Sequence, residues 1–217
     1  MSLLIRRMTK QDISQIARID REAFPTMWPP INFGHELSNK LAYYVVACDG
    51  EQRIENPQPA IKLVAVKSFF GIKWPFGSKQ PEPEPEPEDE TVDMISGFLG
   101  LWMMVDQAHI INIAVRNSHR GRGIGELLLI AGIDLAYELK ALTVTLEVRA
   151  GNMTAQNLYA KYGFNKAGIR KGYYTDNKED AIIMTTDVIT TPHYKNKFLA
   201  LKESHLRKLG EPEYNLL

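Results

Sequence analysis

Seven residues constrain this chain more than any others: His119-Arg120-Gly121-Arg122-Gly123-Ile124-Gly125. They follow a strand-like run, His109 to Val115, and precede a helical run, Gly123 to Lys140, with Ile124, Leu128, Ala131, Leu135 and Leu139 on one face. Glycine lets the backbone bring its N–H groups against an anion, and a helix N-terminus adds positive potential there. Arg120 and Arg122 add full charges. A bare strand-to-helix turn would not need three glycines and two arginines in so few residues. The spacing also rules out two common phosphate loops. A Walker loop closes on Gly-Lys-Ser/Thr, whereas Gly125 is followed by Glu126. In the dinucleotide fingerprint the third glycine falls one residue later than Gly125. A pyrophosphate site of another kind remains.

The run around the loop alternates strands and helices. Leu3 to Met8 is the expected first strand, and a helix starts at Thr9 with Asp12 in a capping-box position. Ile13, Ile16, Ala17 and Ala23 form its apolar stripe, and Phe24-Pro25-Thr26 breaks it. A short helix is expected over Asn32 to Ser38, and strands over Tyr43 to Cys48, Met94 to Val105 and His109 to Val115. The loose alternation of the last suggests burial on both faces. Leu142 to Val148 alternates as a strand, Asn152 caps a helix over Met153 to Tyr162, and Gly163 ends it. Further strands are expected at Lys166 to Tyr173 and Ala181 to Val188, and Ile189 to Leu217 carries a possible amphipathic helix.

A long insertion, about Asp49 to Asp93, interrupts this pattern. Pro81 to Glu88 alternates proline with glutamate, which removes backbone donors and adds like-charge repulsion, so an extended, solvated stretch is expected. Ile61 to Phe76 mixes lysines with aromatics. A β-hairpin packing on the domain is favoured there over a membrane or partner docking surface.

Formal net charge is zero, so the chain lacks a basic nucleic-acid footprint. Cys48 is the only cysteine, and the histidines lack ligand spacing, so no metal is expected. No apolar run approaches the ~20 residues that span a bilayer, and no secretory h-region is seen. A cytoplasmic location is the default expectation.

The loop, the strand–cap–helix run Leu146-Glu147-Val148-Arg149-Ala150-Gly151-Asn152, Ala155, Leu158-Tyr159 and the Tyr162-Gly163-Phe164 turn together resemble the GCN5-related N-acetyltransferase (GNAT) superfamily. Ile169 to Tyr174 and Glu179 to Met184 are similar to the bacterial ribosomal-protein-alanine N-acetyltransferases (RimI type). The resemblance runs closely from about Asn112 to Met184, and the insertion and tail depart from it. It implies an α/β GNAT fold, a mixed, strongly bent sheet with splayed central strands and helices on both faces. It implies one acetyltransferase domain over 1–188, interrupted by the insertion, and a C-terminal extension over 189–217.

The same resemblance implies acetyl-CoA as co-substrate. Ile113, Ala114 and Val115 would meet the pantetheine arm and acetyl carbonyl, Gly121, Arg122, Gly123, Ile124, Gly125 and Glu126 the pyrophosphate, and Asn152 the cofactor beyond the splay. Glu147 would be the general base, acting through water, and Tyr159 the general acid toward the leaving thiolate. By residue type alone, Glu147 is a polar-face strand residue paired with Arg149 or a lysine, and Tyr159 a packed helix tyrosine. Tyr162 is given a structural role. Phe24, Pro25, Thr26, Tyr173 and Tyr174 would line the substrate groove. The implied acceptor is a protein N-terminal amine, such as the alanine of a small-subunit ribosomal protein. The rivals are a lysine or small-molecule acceptor, and a non-catalytic acetyl-CoA-binding regulator.

Overall fold

The structure, a computed structural model, describes residues 3–26, 30–55, 91–210 and 212–216. An antiparallel meander comes first: β1 (Leu3–Arg7), β2 (Ala42–Glu55), β3 (Thr91–Met104) and β4 (Gln107–Val115). Between β1 and β2, Thr9 and Asp12 form the expected capping box. That box opens a single 3-10 turn before α1 (Ile13–Ala23), and α2 (Phe33–Ser38) follows, capped by Asn32. After β4 a crossover through α3 (Ile124–Glu138) brings in β5 (Thr143–Arg149) parallel to β4. Helix α4 (Met153–Lys161), the hairpin β6 (Phe164–Tyr174) and β7 (Glu179–Thr186), helix α5 (Pro192–Leu209) and β8 (Glu213–Asn215) complete the chain. The sheet order is β6-β7-β5-β4-β3-β2-β1-β8, so the tail strand joins the sheet beside β1.

The apolar residues separate onto the two faces of this sheet. On one face Ile16 and Ile19 of α1 and Phe33 of α2 pack with Tyr44, Val46, Ile95 and Phe98. On the other, α3 packs with Val45, Leu99, Leu101, Val144 and Leu146, covered in turn by Tyr194 and Phe198 of α5. This corrects the expectation of a one-faced helix. Leu127 through Ile133 are all buried, because sheet and α5 enclose α3 from two sides. Leu128→Ala in such a site removes about 2–5 kcal/mol.

Strand β4 is covered on both faces, as expected: Ala108 and Ile110 are buried on the α3 side and Ala114 on the α1 side. The looseness seen in its sequence comes from a β-bulge. Gly100 faces Asn112 and Leu101 faces Ile110, so Ile111 is an extra residue. Its parity therefore changes mid-strand. Ala108 and Ile110 belong to the α3-side core before the bulge, and Ile113 and Val115 pack against that core after it.

The bounds expected for the insertion are corrected at both ends. Asp49 to Glu55 continues β2 and Thr91 to Asp93 begins β3, with Ile54 opposite Val92. The expectations for Ile61 to Phe76 and for Pro81 to Glu88 fall outside the described residues.

Candidate active site

Strands β4 and β5 pair only from Gln107↔Thr143 to Ile110↔Leu146. Beyond that register β4 continues with β3 as far as Val115, and β5 continues with β7 as far as Arg149. The two central strands thus part at the bulge, as the splay expected from the sequence requires. A cavity of about 230 Å³ opens there, lined by Ile110 to Ile113 on one side and Leu146 to Arg149 on the other, with Phe24, Asn152, Tyr159, Tyr173 and Tyr174. Past Ile110 the backbone edge of β4 facing β5 carries no ladder partner, so its N–H and C=O groups face the opening.

The end of β4 leads directly into the glycine loop. Gly121 and Gly123 have φ of 76° and 82°, a left-handed backbone that other residues adopt only at a cost. No heavy atom lies within 4 Å of where a Cβ on Gly121 would stand, so the outer side of the loop is open. Gly123 caps α3 without a side-chain hydrogen bond, which leaves the first-turn N–H groups for an external anion. Arg122 is exposed beside them. Glu126 stands in that first turn, but its carboxylate turns aside. It accepts from Tyr162 Oη at 2.6 Å and from Lys161, and lies 3.5 Å from His205 Nδ1. Burial raises the Glu126 pKa, and the bonds from Lys161 and Tyr162 outweigh it and hold the group below its ordinary range. Tyr162 is buried, and its carbonyl accepts from Tyr194 Oη at 2.8 Å.

Glu147 and Tyr159 line the same cavity. Glu147 is not paired with Arg149 or a lysine. Its Oε2 lies 2.7 Å from His109 Nε2, and its Oε1 lies 2.9 Å from Arg170. The His109 hydrogen bond lowers the Glu147 pKa, against the effect of burial, and the charge of Arg170 adds to it. Tyr159 packs its ring 5.8 Å from Phe164, and burial pushes its phenol up to about 12. It is therefore protonated at neutral pH.

A second cavity of about 280 Å³ adjoins the first and shares Phe24, Arg149, Tyr173 and Tyr174 with it. Thr26, Thr175 and Asp176 complete its lining. Arg149 organises this trough: its guanidinium stacks 3.9 Å above the Tyr174 ring and pairs with Asp176 at 2.9 Å and Glu179 at 3.1 Å. Thr26 Oγ1 donates to Asp176 Oδ2 at 2.8 Å, tying the turn after α1 to the β6–β7 hairpin. Of the residues expected in the groove, Phe24, Thr26, Tyr173 and Tyr174 line these cavities, while Pro25 lines neither. Of those expected at the cofactor, Ile113 and Asn152 line the first cavity. Ala114 is buried toward α1 and Val115 toward α3, so each has only backbone to offer, and Gly121 to Glu126 lie outside both cavities. Asn152 also caps α4, its Oδ1 accepting from the Ala155 N–H at 3.1 Å.

Residue type and spacing assign no role in the site to His109, Arg170 or Asp176. His109 is one strand away from Glu147, and only the β4–β5 register, His109 opposite Thr145, brings it diagonally beside that residue. Arg170 lay within a recognised stretch, yet its partner depends on how β6 and β7 fold back.

Residues 86–164 match the Acetyltransferase (GNAT) family. A Bacillus subtilis protein, named provisionally as a ribosomal protein bS18-alanine N-acetyltransferase, is 32% identical over 83% of this chain and 92% of its own length. This chain belongs to the GNAT acetyltransferase family. The Escherichia coli (strain K12) ribosomal protein bS18-alanine N-acetyltransferase is 43% identical over 52% of the chain and 78% of its own length. In fold, the crystal structure of the Escherichia coli ribosomal-protein-S18-alanine N-acetyltransferase superposes with a TM-score of 0.61 at 24% identity, covering 86% of this chain and 94% of that one. Ard1 from Thermoplasma volcanium superposes equally well, with a TM-score of 0.61 at 20% identity over 87% and 99% of the two chains. The protein is thus an N-acetyltransferase of mixed α/β GNAT fold, from a family that uses acetyl-CoA. No helix among the described residues is long and apolar enough to cross a membrane.

Proposed function

We propose that this enzyme acetylates the N-terminal α-amine of a protein, and that the acceptor is the N-terminal alanine of ribosomal protein bS18, as the names of its relatives state for them. The observation that carries the α-amine reading is the pairing of Glu147. A carboxylate held down by His109 and Arg170 is a weak base. An α-ammonium, with a pKa of ~7.7–8.0, gives up its proton to such a group far more readily than a lysine at ~10.4. The gap of roughly 2.5 units is about 3–4 kcal/mol in the lysine's disfavour.

The residues suit the cofactor. The open-sided Gly121–Gly123 turn and the first turn of α3 would hold its pyrophosphate, with Arg122 beside them. The edge of β4 from Ile113 to Val115, which has no strand partner and whose Val115 carbonyl accepts from Arg120 Nε at 3.3 Å, would align the pantetheine arm, and a backbone N–H near Val115 would meet the oxyanion. Acetyl-CoA supplies an activated acetyl thioester. Glu147 takes a proton from the acceptor ammonium through water, and Tyr159 returns one to the departing sulfur. Glu126 braces the loop through Lys161, Tyr162 and His205, and would meet the pyrophosphate through its backbone N–H. The trough of Phe24, Thr26, Arg149, Tyr173 and Tyr174 would seat the first residues of the acceptor chain.

The single-domain reading and a cytoplasmic site of action stand with this proposal. Helix α5 and β8, placed in the 189–217 extension, share the core and sheet of the rest.

The test is competition between two peptides of one sequence. One has a free N-terminal alanine and a blocked lysine, the other a blocked N-terminus and a free lysine. Mass spectrometry should find acetylation on the first alone. Preferential modification of the second would overturn the α-amine reading.

A further inference from the structure

Glu147 has partners on both of its carboxylate oxygens, and they differ in kind. Arg170 carries a permanent charge, whereas His109 carries one only when protonated. We propose that His109 is a positioning residue for the transfer reaction. It fixes the Glu147 carboxylate through Nε2, so that the oxygen left to the acceptor proton is held in one orientation. This rests on the reading of Glu147 as base.

The geometry supports it. The 2.7 Å contact joins two side chains from adjacent strands, projecting from the same face just where β4 and β5 begin to part. Both are mostly buried, with side chains 19% and 11% exposed, so the pair is poorly screened by water. The groups facing Glu147 are His109 from β4 and Arg170 and Tyr174 from β6. On the β3 side His109 stands opposite Trp102, which carries no charge.

The consequence follows from the geometry. Nε2–H of His109 donates to Oε2, while Arg170 holds Oε1. A proton leaving the acceptor ammonium for Glu147 breaks an N–H bond and forms an O–H bond at that oriented carboxylate. Without the His109 contact the carboxylate is held from one side only, and the transfer should slow.

The experiment measures kcat and KM separately on an alanine-terminated peptide for wild type, His109→Gln, His109→Ala and Glu147→Gln. Acetyl-CoA affinity by calorimetry serves as the folding control. His109→Ala should lower kcat at least several-fold with peptide KM and acetyl-CoA affinity little changed, because the carboxylate is no longer held. His109→Gln keeps a donor and should recover most of that loss. A His109→Ala enzyme at the wild-type kcat, or a His109→Gln enzyme as impaired as His109→Ala, with Glu147→Gln strongly impaired, would overturn the role of His109 and leave Glu147 as base. A Glu147→Gln enzyme at the wild-type rate would overturn both.

Discussion

The two sides of the cleft are made of different material. On the loop side, the groups available to a ligand are main-chain: the unpaired edge of β4 after Ile110, the left-handed Gly121 and Gly123, and the first turn of α3. On the trough side they are side chains held by other side chains: Arg149 between Tyr174, Asp176 and Glu179, and Thr26 on Asp176. Under the proposed function, backbone geometry would recognise what every reaction shares, the cofactor, whereas side-chain constellations can be exchanged one residue at a time as acceptors differ. Glu147 and Tyr159 stand at the seam.

The seam should show the largest effects. Glu147→Gln keeps the shape but not the basicity, and kcat should fall by ~10²–10⁴-fold with acetyl-CoA affinity intact. Raising the pH should restore part of the rate by deprotonating the amine in solution. Tyr159→Phe removes a hydroxyl held protonated by burial, and kcat should fall by roughly 10². Single-turnover kinetics on both variants checks these values, and the two losses need not multiply, since both groups serve one proton path.

The loop side comes next. A side chain at Gly123 would be strained at φ 82°, and its Cβ would stand 3.0 Å from the His205 ring. A strain of about 1–3 kcal/mol, relieved in the free loop and re-imposed when the pyrophosphate binds, predicts roughly 5- to 150-fold weaker acetyl-CoA binding for Gly123→Val by calorimetry, with peptide affinity little changed. The trough side should behave oppositely. Asp176→Ala frees Arg149 and Thr26 from their common partner, so KM for the peptide should rise several-fold while acetyl-CoA affinity holds. If either variant disturbed both ligands equally, the division between backbone and side-chain sides would collapse.

The smallest effect concerns stability. Glu126 has its pKa depressed below 4.5 in the fold. Its contribution is therefore present above the unfolded value, near 4.5, and is lost as pH falls through the lower folded value. Glu126→Gln should lower thermal stability slightly at neutral pH and change little well below pH 4.5, so that the acid limb is flattened.

What the sequence revealed tracks the same division. The glycine loop and its flanking strand and helix were legible because they are local: spacing, charge and periodicity lie within consecutive residues. Glu147 and Tyr159 were legible only through family resemblance, since a strand glutamate and a helix tyrosine carry no signal by type. His109, Arg170 and Asp176 were not legible, because each acquires its partner from strand register or hairpin return. The bulge at Ile111 was not legible either: a residue inserted into β4 changes side-chain parity, and no residue type marks the place. The all-round burial of α3 escaped for a similar reason, as α5 lies more than fifty residues later in the chain.

The most direct test of the central claim uses the protein acceptor itself. Ribosomal protein bS18 with a free N-terminal alanine would be incubated with the enzyme and acetyl-CoA and followed by intact-protein and fragment mass spectrometry. The account predicts one acetyl group on the α-amine of that alanine, absent with Glu147→Gln. Acetyl groups on lysine side chains, or an unmodified N-terminus under conditions where another amine is acetylated, would contradict it.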